Sequence, residues 1–206
     1  PDVYEGAPTP LTAFMATLVK AFAAAAMFRL FYLFFDGAAN PHTLGLGVIC
    51  ALTMFLGNIL GAVQDNAKRT LAYSSIGHAG FMVLAIFAGG KSGQDALIYY
   101  IIAYSLASLL ALFIVHKVIV KDDFYQSIGD FNGLFKRNPL MASGMIISLL
   151  SMAGIPPLSG FFAKYFIFNA AYQNGYYWLV VVAIIASLIG VYYYFKFIIA
   201  MFRDVD

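Results

Sequence analysis

The chain has 206 residues, of which 62% are hydrophobic and 11% charged, whereas a soluble domain carries about 25% charged residues. That apolar excess is too large for one soluble core and points to the lipid bilayer as solvent. The net charge of +2 gives no ground for nucleic-acid binding, and a single cysteine, Cys50, excludes an internal disulfide and any multi-cysteine metal site. The first ten residues hold Asp2, Glu5 and three prolines, beginning with Pro1, which is unlike a signal peptide. The chain is therefore expected to be a piece of a longer protein.

A membrane span needs about 20 mostly apolar residues. The first is expected over residues 11–35, with Thr9 as N-cap and Pro10 at the first helical position. The second, 44–63, is free of charge. The third, 70–88, is charge-free except for His78 near its centre, and the fourth, 96–115, has no Asp, Glu, Lys or Arg. The fifth runs from Pro139 to about Gln173 and the sixth from Gly175 to Phe202. The fold class is thus all-α and polytopic, with six transmembrane helices. Barrel strands are not expected, because the period-two alternation is missing.

The fifth span is too long for one straight helix, which would reach roughly 50 Å against a hydrocarbon core of about 30 Å. It also contains Gly154-Ile155-Pro156-Pro157-Leu158-Ser159-Gly160. Two consecutive prolines remove two donors and break the helix. Residues 139–173 are therefore expected to form two half-helices around an unwound stretch at membrane depth, a device that marks ion sites in transporters. The freed backbone groups are expected to turn to water.

Loop charges set the orientation. By alternation, one side receives the N-terminus, residues 64–69, residues 116–138 and the C-terminus. It carries Lys68, Arg69, Lys117, Lys121, Lys136, Arg137 and Arg203, against Lys91 alone on the other. The positive-inside rule makes the first side cytoplasmic. In the 116–138 connection, Asp122, Asp123, Phe124, Phe131 and Phe135 suggest a short amphipathic segment at the interface.

Three residues could carry proton chemistry. Lys20 lies about 14 Å inside the first span, beyond comfortable snorkelling reach, so it reads as a buried functional lysine before a snorkelling one. Lys164 follows Gly160 by four residues, one turn into the second half-helix, where it is either a functional group beside the break or an interfacial lysine. His78 shares a helix face with Ser74 and Ser75, as a relay or as a hydrogen-bonded interior histidine. Arg29 and Lys196 sit near span ends and read as snorkelling; Lys68 and Arg69 read as orientation charges or an entry funnel. Tyr99, Tyr100, Tyr104, Ser105 and Ser108 make a hydroxyl-rich face on the fourth span, for packing or for organising water. No carboxylate lies deep in a span, and no nucleotide loop, iron–sulfur motif or haem pair of histidines is visible.

Three stretches carry a family resemblance. Pro1-Asp2-Val3-Tyr4-Glu5-Gly6-Ala7-Pro8-Thr9-Pro10 resembles the linker before the eighth helix of the N-type antiporter-like subunits of proton-pumping NADH–quinone oxidoreductase (respiratory complex I). Lys68-Arg69-Thr70-Leu71-Ala72-Tyr73-Ser74-Ser75-Ile76-Gly77-His78-Ala79-Gly80 resembles their tenth-helix signature, and residues 153–164 their broken twelfth helix. The resemblance implies two inverted five-helix repeats, with residues 1–36 holding the last helix of the first repeat and its linker, and 37–206 the second. It matches Lys20 to the central linking lysine and Lys164 to the lysine beside the second break. The first repeat's key lysine and partner glutamate would lie upstream of Pro1, and at least one more helix would follow Asp206. The paralogous L and M subunits and cation/proton antiporters carry Lys or His in the helix corresponding to 96–115, which favours the N type here.

The implied function is proton translocation through Lys20, His78 and Lys164, coupled to quinone reduction elsewhere in an enzyme complex of the bacterial inner membrane. No cofactor is expected in this chain; NADH, flavin, iron–sulfur clusters and quinone would belong to partner subunits. The expected partners are the antiporter-like M subunit, the small K and J subunits and the lipid bilayer, with no nucleic acid. A cation/proton antiporter subunit, the membrane subunit of a related hydrogenase complex and a purely structural anchor remain the alternatives. The buried lysines weigh against the anchor, which would not need to meet their desolvation cost.

Overall fold

The computed structural model describes residues 2–34, 42–118 and 127–203. Among them the chain is helical apart from turns and one isolated antiparallel bridge between Asn66 and Ser127. A short α1 (Asp2–Gly6) precedes α2 (Thr9–Phe14), a π-helical turn (Met15–Val19) and α3 (Lys20–Phe34), which together form the first span. Then come α4 (His42–Ala62), α5 (Ala67–Ala88) and α6 (Gly90–Val118). A 3₁₀ turn (Ile128–Phe131) and α7 (Leu134–Arg137) lead to α8 (Pro139–Ala153) and α9 (Ser159–Gln173), the two halves of the broken span, and α10 (Tyr177–Phe202) closes the bundle. Among the described residues five helices are long and apolar enough to cross a membrane, and the apolar α8 with α9 supplies a sixth crossing. The chain is a multi-pass membrane protein.

α5 is the axis of the bundle. It touches α1, α3, α4, α6, α9 and α10, and 78% of its apolar window is buried, against 22% of the first span. Small residues permit this. A Cβ on Gly57 of α4 would lie 2.9 Å from the Cα of Gly77, so the two backbones are in direct contact. Large apolar residues are exposed on the outer sides of α3, α6 and α10, among them Phe22, Leu106 and Leu188.

Loop contacts confirm the alternation of sides. The Ile128 amide donates to the Asp65 carbonyl at 2.8 Å. Lys196 meets Asp65 at 2.7 Å, and Arg69 meets Glu5 at 2.8 Å. α1, the α4–α5 turn, the segment before α8 and the end of α10 thus share one end of the bundle.

Several local expectations need correction. Thr9 is not the N-cap: it lies inside α2 and is buried, while the Pro8 carbonyl accepts the amides of Leu11 and Thr12. The first span is not continuous α-helix, because the π-turn adds a residue to one turn immediately before Lys20. α6 begins at Gly90 directly after Gly89, so Lys91 and Asp95 belong to its first turns and not to a loop. In the segment before α8, Phe131 is fully buried and packs on Phe197 with ring centroids 4.8 Å apart, so that part enters the core. Phe135 stays partly exposed against Phe202; Asp122, Asp123 and Phe124 lie outside the described residues. Lys68 is fully buried, with Nζ donating to the Ala7 carbonyl at 3.3 Å, and is no exposed orientation charge. Lys196 reaches the Gln64 carbonyl and Asp65 at the bundle end, as its position near the span terminus suggested, and Arg29 is exposed.

Candidate functional site

The break in the fifth span is built by its own sequence. α8 ends at Gly154, whose φ of +85° suits only glycine; the Ile155 amide returns to the Leu150 carbonyl and the Gly154 amide to Ser151, which closes a Schellman cap. Pro156-Pro157 then prevents helix from resuming until Ser159, and their peptide bond is cis. Gly160 is required where α9 restarts, because a Cβ there would overlap the Ser151 carbonyl. The Gly160 amide donates to the Ser151 hydroxyl at 3.3 Å.

This arrangement aims Lys164 back across the break. Its Nζ donates to the Ala153 carbonyl at 2.8 Å and to the Ser187 hydroxyl of α10 at 2.8 Å. It also lies 5.2 Å from the centroid of the Phe81 ring, within cation–π range. The Ala153 carbonyl at the break is therefore met by the lysine itself. Lys164 is buried, at 7% exposure.

Lys20 is half-buried at the end of the π-turn and donates to both the carbonyl and the hydroxyl of Ser75 on α5. One residue earlier, the Ser74 hydroxyl bonds the phenol of Tyr194. That phenol stands 3.0 Å from His78 Nε2, and the Tyr100 phenol stands 2.6 Å from His78 Nδ1. The imidazole is held between two hydroxyls and stacks on Tyr104 with ring centroids 4.6 Å apart.

A small cavity of about 10 Å³ lies between His78 and Lys164. His78, Tyr100, Tyr104, Ser151, Gly160 and Lys164 are among the residues lining it, and it has room for about one water molecule. Lys20, His78 and Lys164, identified separately from sequence, thus border a polar path in two parts, Lys20 with Ser75 and Ser74–Tyr194–His78 with the cavity and Lys164, whose nearest members are consecutive residues of α5. Of the hydroxyl face on α6, Tyr100, Tyr104 and Ser108 turn inward; Tyr99 is partly exposed and Ser105 half-buried, so they lie off the path.

Sequence reasoning missed Tyr194, Tyr193, Asn58 and Ser187. Tyr193 donates to Asn58 Oδ1 at 3.0 Å, and Asn58, buried on α4, donates to the Met54 carbonyl at 2.7 Å. The available signal was Asn58 itself, an amide in the middle of an apolar span that requires a partner in another helix. Every hydroxyl on the path can donate and accept, as a neutral imidazole can through its two nitrogens, so each hydrogen-bonded part can pass a proton by successive exchange. Among the described residues no group of three or more His, Cys, Asp or Glu gathers to hold a metal ion.

Comparison with known proteins fits this geometry. A family described as NADH:quinone oxidoreductase/Mrp antiporter, transmembrane, matches residues 1–190. NADH-quinone oxidoreductase subunit N of Desulforamulus reducens is 43% identical over 99% of this chain and 42% of its own length. The respiratory complex I of Thermus thermophilus with bound aureothin contains a chain matching at a TM-score of 0.86 and 38% identity, over 100% of this chain and 45% of that one. The Mrp complex of a Dietzia species matches at a TM-score of 0.89 and 25% identity, over 98% of this chain and 38% of that one. The chain therefore spans less than half the length of the relatives it matches. It belongs to the NADH:quinone oxidoreductase/Mrp antiporter transmembrane family.

Proposed function

We propose that this chain is part of a proton-translocating membrane subunit of an NADH–quinone oxidoreductase of the bacterial inner membrane. Lys20, His78 and Lys164 pass protons across it, driven by quinone reduction in partner subunits. The supporting observation is the convergence of polar contacts on α5: Lys20 on Ser75, Ser74 beside it on Tyr194, Tyr194 on His78, and a one-water cavity between His78 and Lys164. The redox groups belong to partners, and the M, K and J membrane subunits are its neighbours. Residues 1–36 end one five-helix repeat and 37–206 form the next, with both ends of the described chain on the cytoplasmic side.

A proton moves when one lysine charges as the other discharges, with His78 exchanging through its two phenol partners. Moving one charge against 100 mV requires about 2.3 kcal/mol, so the path must add no large barrier. The test is proton uptake by vesicles containing the intact complex. Lys20→Ala is expected to lower uptake strongly while the complex still assembles; unchanged uptake would overturn the assignment. The likeness to the Mrp complex favours a second reading, cation/proton antiport. A quinone-site inhibitor stops transport under the first reading and leaves it running under the second.

A further inference from the structure

Asn58 is a buried amide that the proton path does not touch. It lies on α4 with 4% of its surface exposed. Its Nδ2 donates to the Met54 carbonyl at 2.7 Å, and its Oδ1 accepts from the Tyr193 phenol of α10 at 3.0 Å. Glycines admit it on both sides. A Cβ on Gly77 of α5 would lie 2.7 Å from Nδ2, and one on Gly190 of α10 would lie 3.0 Å from Oδ1. The carboxamide is thus wedged where α4, α5 and α10 meet. The bond to Met54 stays within α4 and holds the amide so that Oδ1 faces α10.

We propose that Asn58 is a positioning residue for proton exchange at His78: it holds Tyr193, Tyr193 sets the rotation of α10, and that rotation brings the Tyr194 phenol to Ser74 and His78. This role rests on the proton-transfer reading of His78. Tyr193 and Tyr194 are consecutive, so they leave α10 about 100° apart. Both are buried, Tyr193 toward Asn58 on α4 and Tyr194 toward Ser74 and His78 on α5, with ring centroids 4.4 Å apart. A phenol stands at the end of a long side chain, so a small turn of α10 carries its oxygen out of hydrogen-bond range. Tyr194 depends on that rotation, because its hydroxyl meets two groups one turn apart on α5, Ser74 and, at 3.0 Å, His78 Nε2. A hydrogen bond between helices is directional, so the Asn58–Tyr193 bond selects one rotation of α10 against α4.

The test uses the intact complex in vesicles. Asn58→Leu keeps the branching of the side chain and removes the amide; Tyr193→Phe keeps the ring and removes the donor. Each is expected to lower proton uptake about three- to tenfold, the size of one lost hydrogen bond. Each also leaves a buried polar group without its partner, which a merely structural role would register in the same way. The double variant separates the two. With both partners apolar, no polar group of the pair is left unsatisfied, and retention of the subunit on warming in detergent should return toward wild type. Uptake should stay as low as in the single variants, because nothing then selects the rotation of α10. Uptake that recovers together with retention would overturn the proposal, as would wild-type uptake in an assembled Tyr193→Phe complex. Tyr194→Phe supplies a second readout. With that hydroxyl gone, adding Asn58→Leu should lower uptake no further, and an additive loss would overturn the proposal. Tyr194→Phe and His78→Ala, each alone, distinguish the levels. If they lower uptake and the Asn58 and Tyr193 variants do not, only the role of Asn58 is wrong; if they leave uptake unchanged, the proton-transfer reading itself fails.

Discussion

Replacing Lys164 by methionine separates charge from shape. Methionine is unbranched and similar in length, so it fills the path that the lysine stem takes past Gly154 and keeps contact with Phe81. Two hydrogen bonds are lost, to the Ala153 carbonyl and the Ser187 hydroxyl. A buried polar group left without its partner costs about 1–3 kcal/mol. Removing an ionisable ammonium from the same pocket offsets this, since desolvating a charge is unfavourable by several kcal/mol. The net change in stability is expected to stay within about 2 kcal/mol, and the subunit should assemble. Proton transfer has no such compensation, because a thioether neither carries nor exchanges a proton. Uptake through this subunit is expected to drop at least about tenfold, an added barrier of roughly 1.4 kcal/mol or more. The assay is fluorescence quenching by reconstituted vesicles, with subunit content measured by gel. An assembled Lys164→Met complex that acidifies vesicles at the wild-type rate would refute the reasoning.

Lys20→Arg should also impair uptake, because a guanidinium keeps its proton at accessible pH; normal uptake would make Lys20 a fixed charge. Replacing Pro156 and Pro157 together by alanine should slow uptake with Lys164 intact, by letting helix run through the break; normal uptake in an assembled variant would reduce the break to a packing feature. Gly160→Ala should destabilise the subunit by about 1–3 kcal/mol through overlap with the Ser151 carbonyl, read as lower retention of the subunit on warming in detergent. A cysteine at Asn132 should be labelled only from the cytoplasm and one at Ser92 only from the opposite side; the reverse pattern would invert the proposed direction of transport.

The six spans and the break were legible because length, apolarity and the Pro156-Pro157 pair act locally. The two lysines and His78 stood out for a related reason: an ionisable group in lipid is conspicuous in any sequence. What hid was whatever depends on a second helix. Tyr194 lies in a run of three tyrosines on α10, and only packing decides which of them faces Ser74 and His78. Lys68 looks like a loop charge until α1 folds over it. The π-turn before Lys20 leaves no mark in the residue pattern, since Met15, Ala16 and Leu18 suit an α-helix equally well. Thr9 carried a capping signature, but the Pro8 carbonyl, fixed by the ring at φ −53°, took that position first.

The central place of α5 bears on how the protein is made. Its mean hydropathy, 1.6, is below the 2.2 of α6 and the 2.1 of α10, and it carries Lys68, Ser74, Ser75 and His78 on surfaces that only protein covers. A segment of this kind is a poor guest for lipid when it leaves the insertion machinery alone. Its earlier neighbour α4 offers the matching surface, with Gly57 against Gly77 and Met54 against Gly80. The hairpin of α4 and α5 is therefore expected to enter the membrane as one unit. Weakening the α4 face by Gly57→Leu should show first as α5 left on the wrong side of the membrane during synthesis, before any loss is seen in the finished subunit.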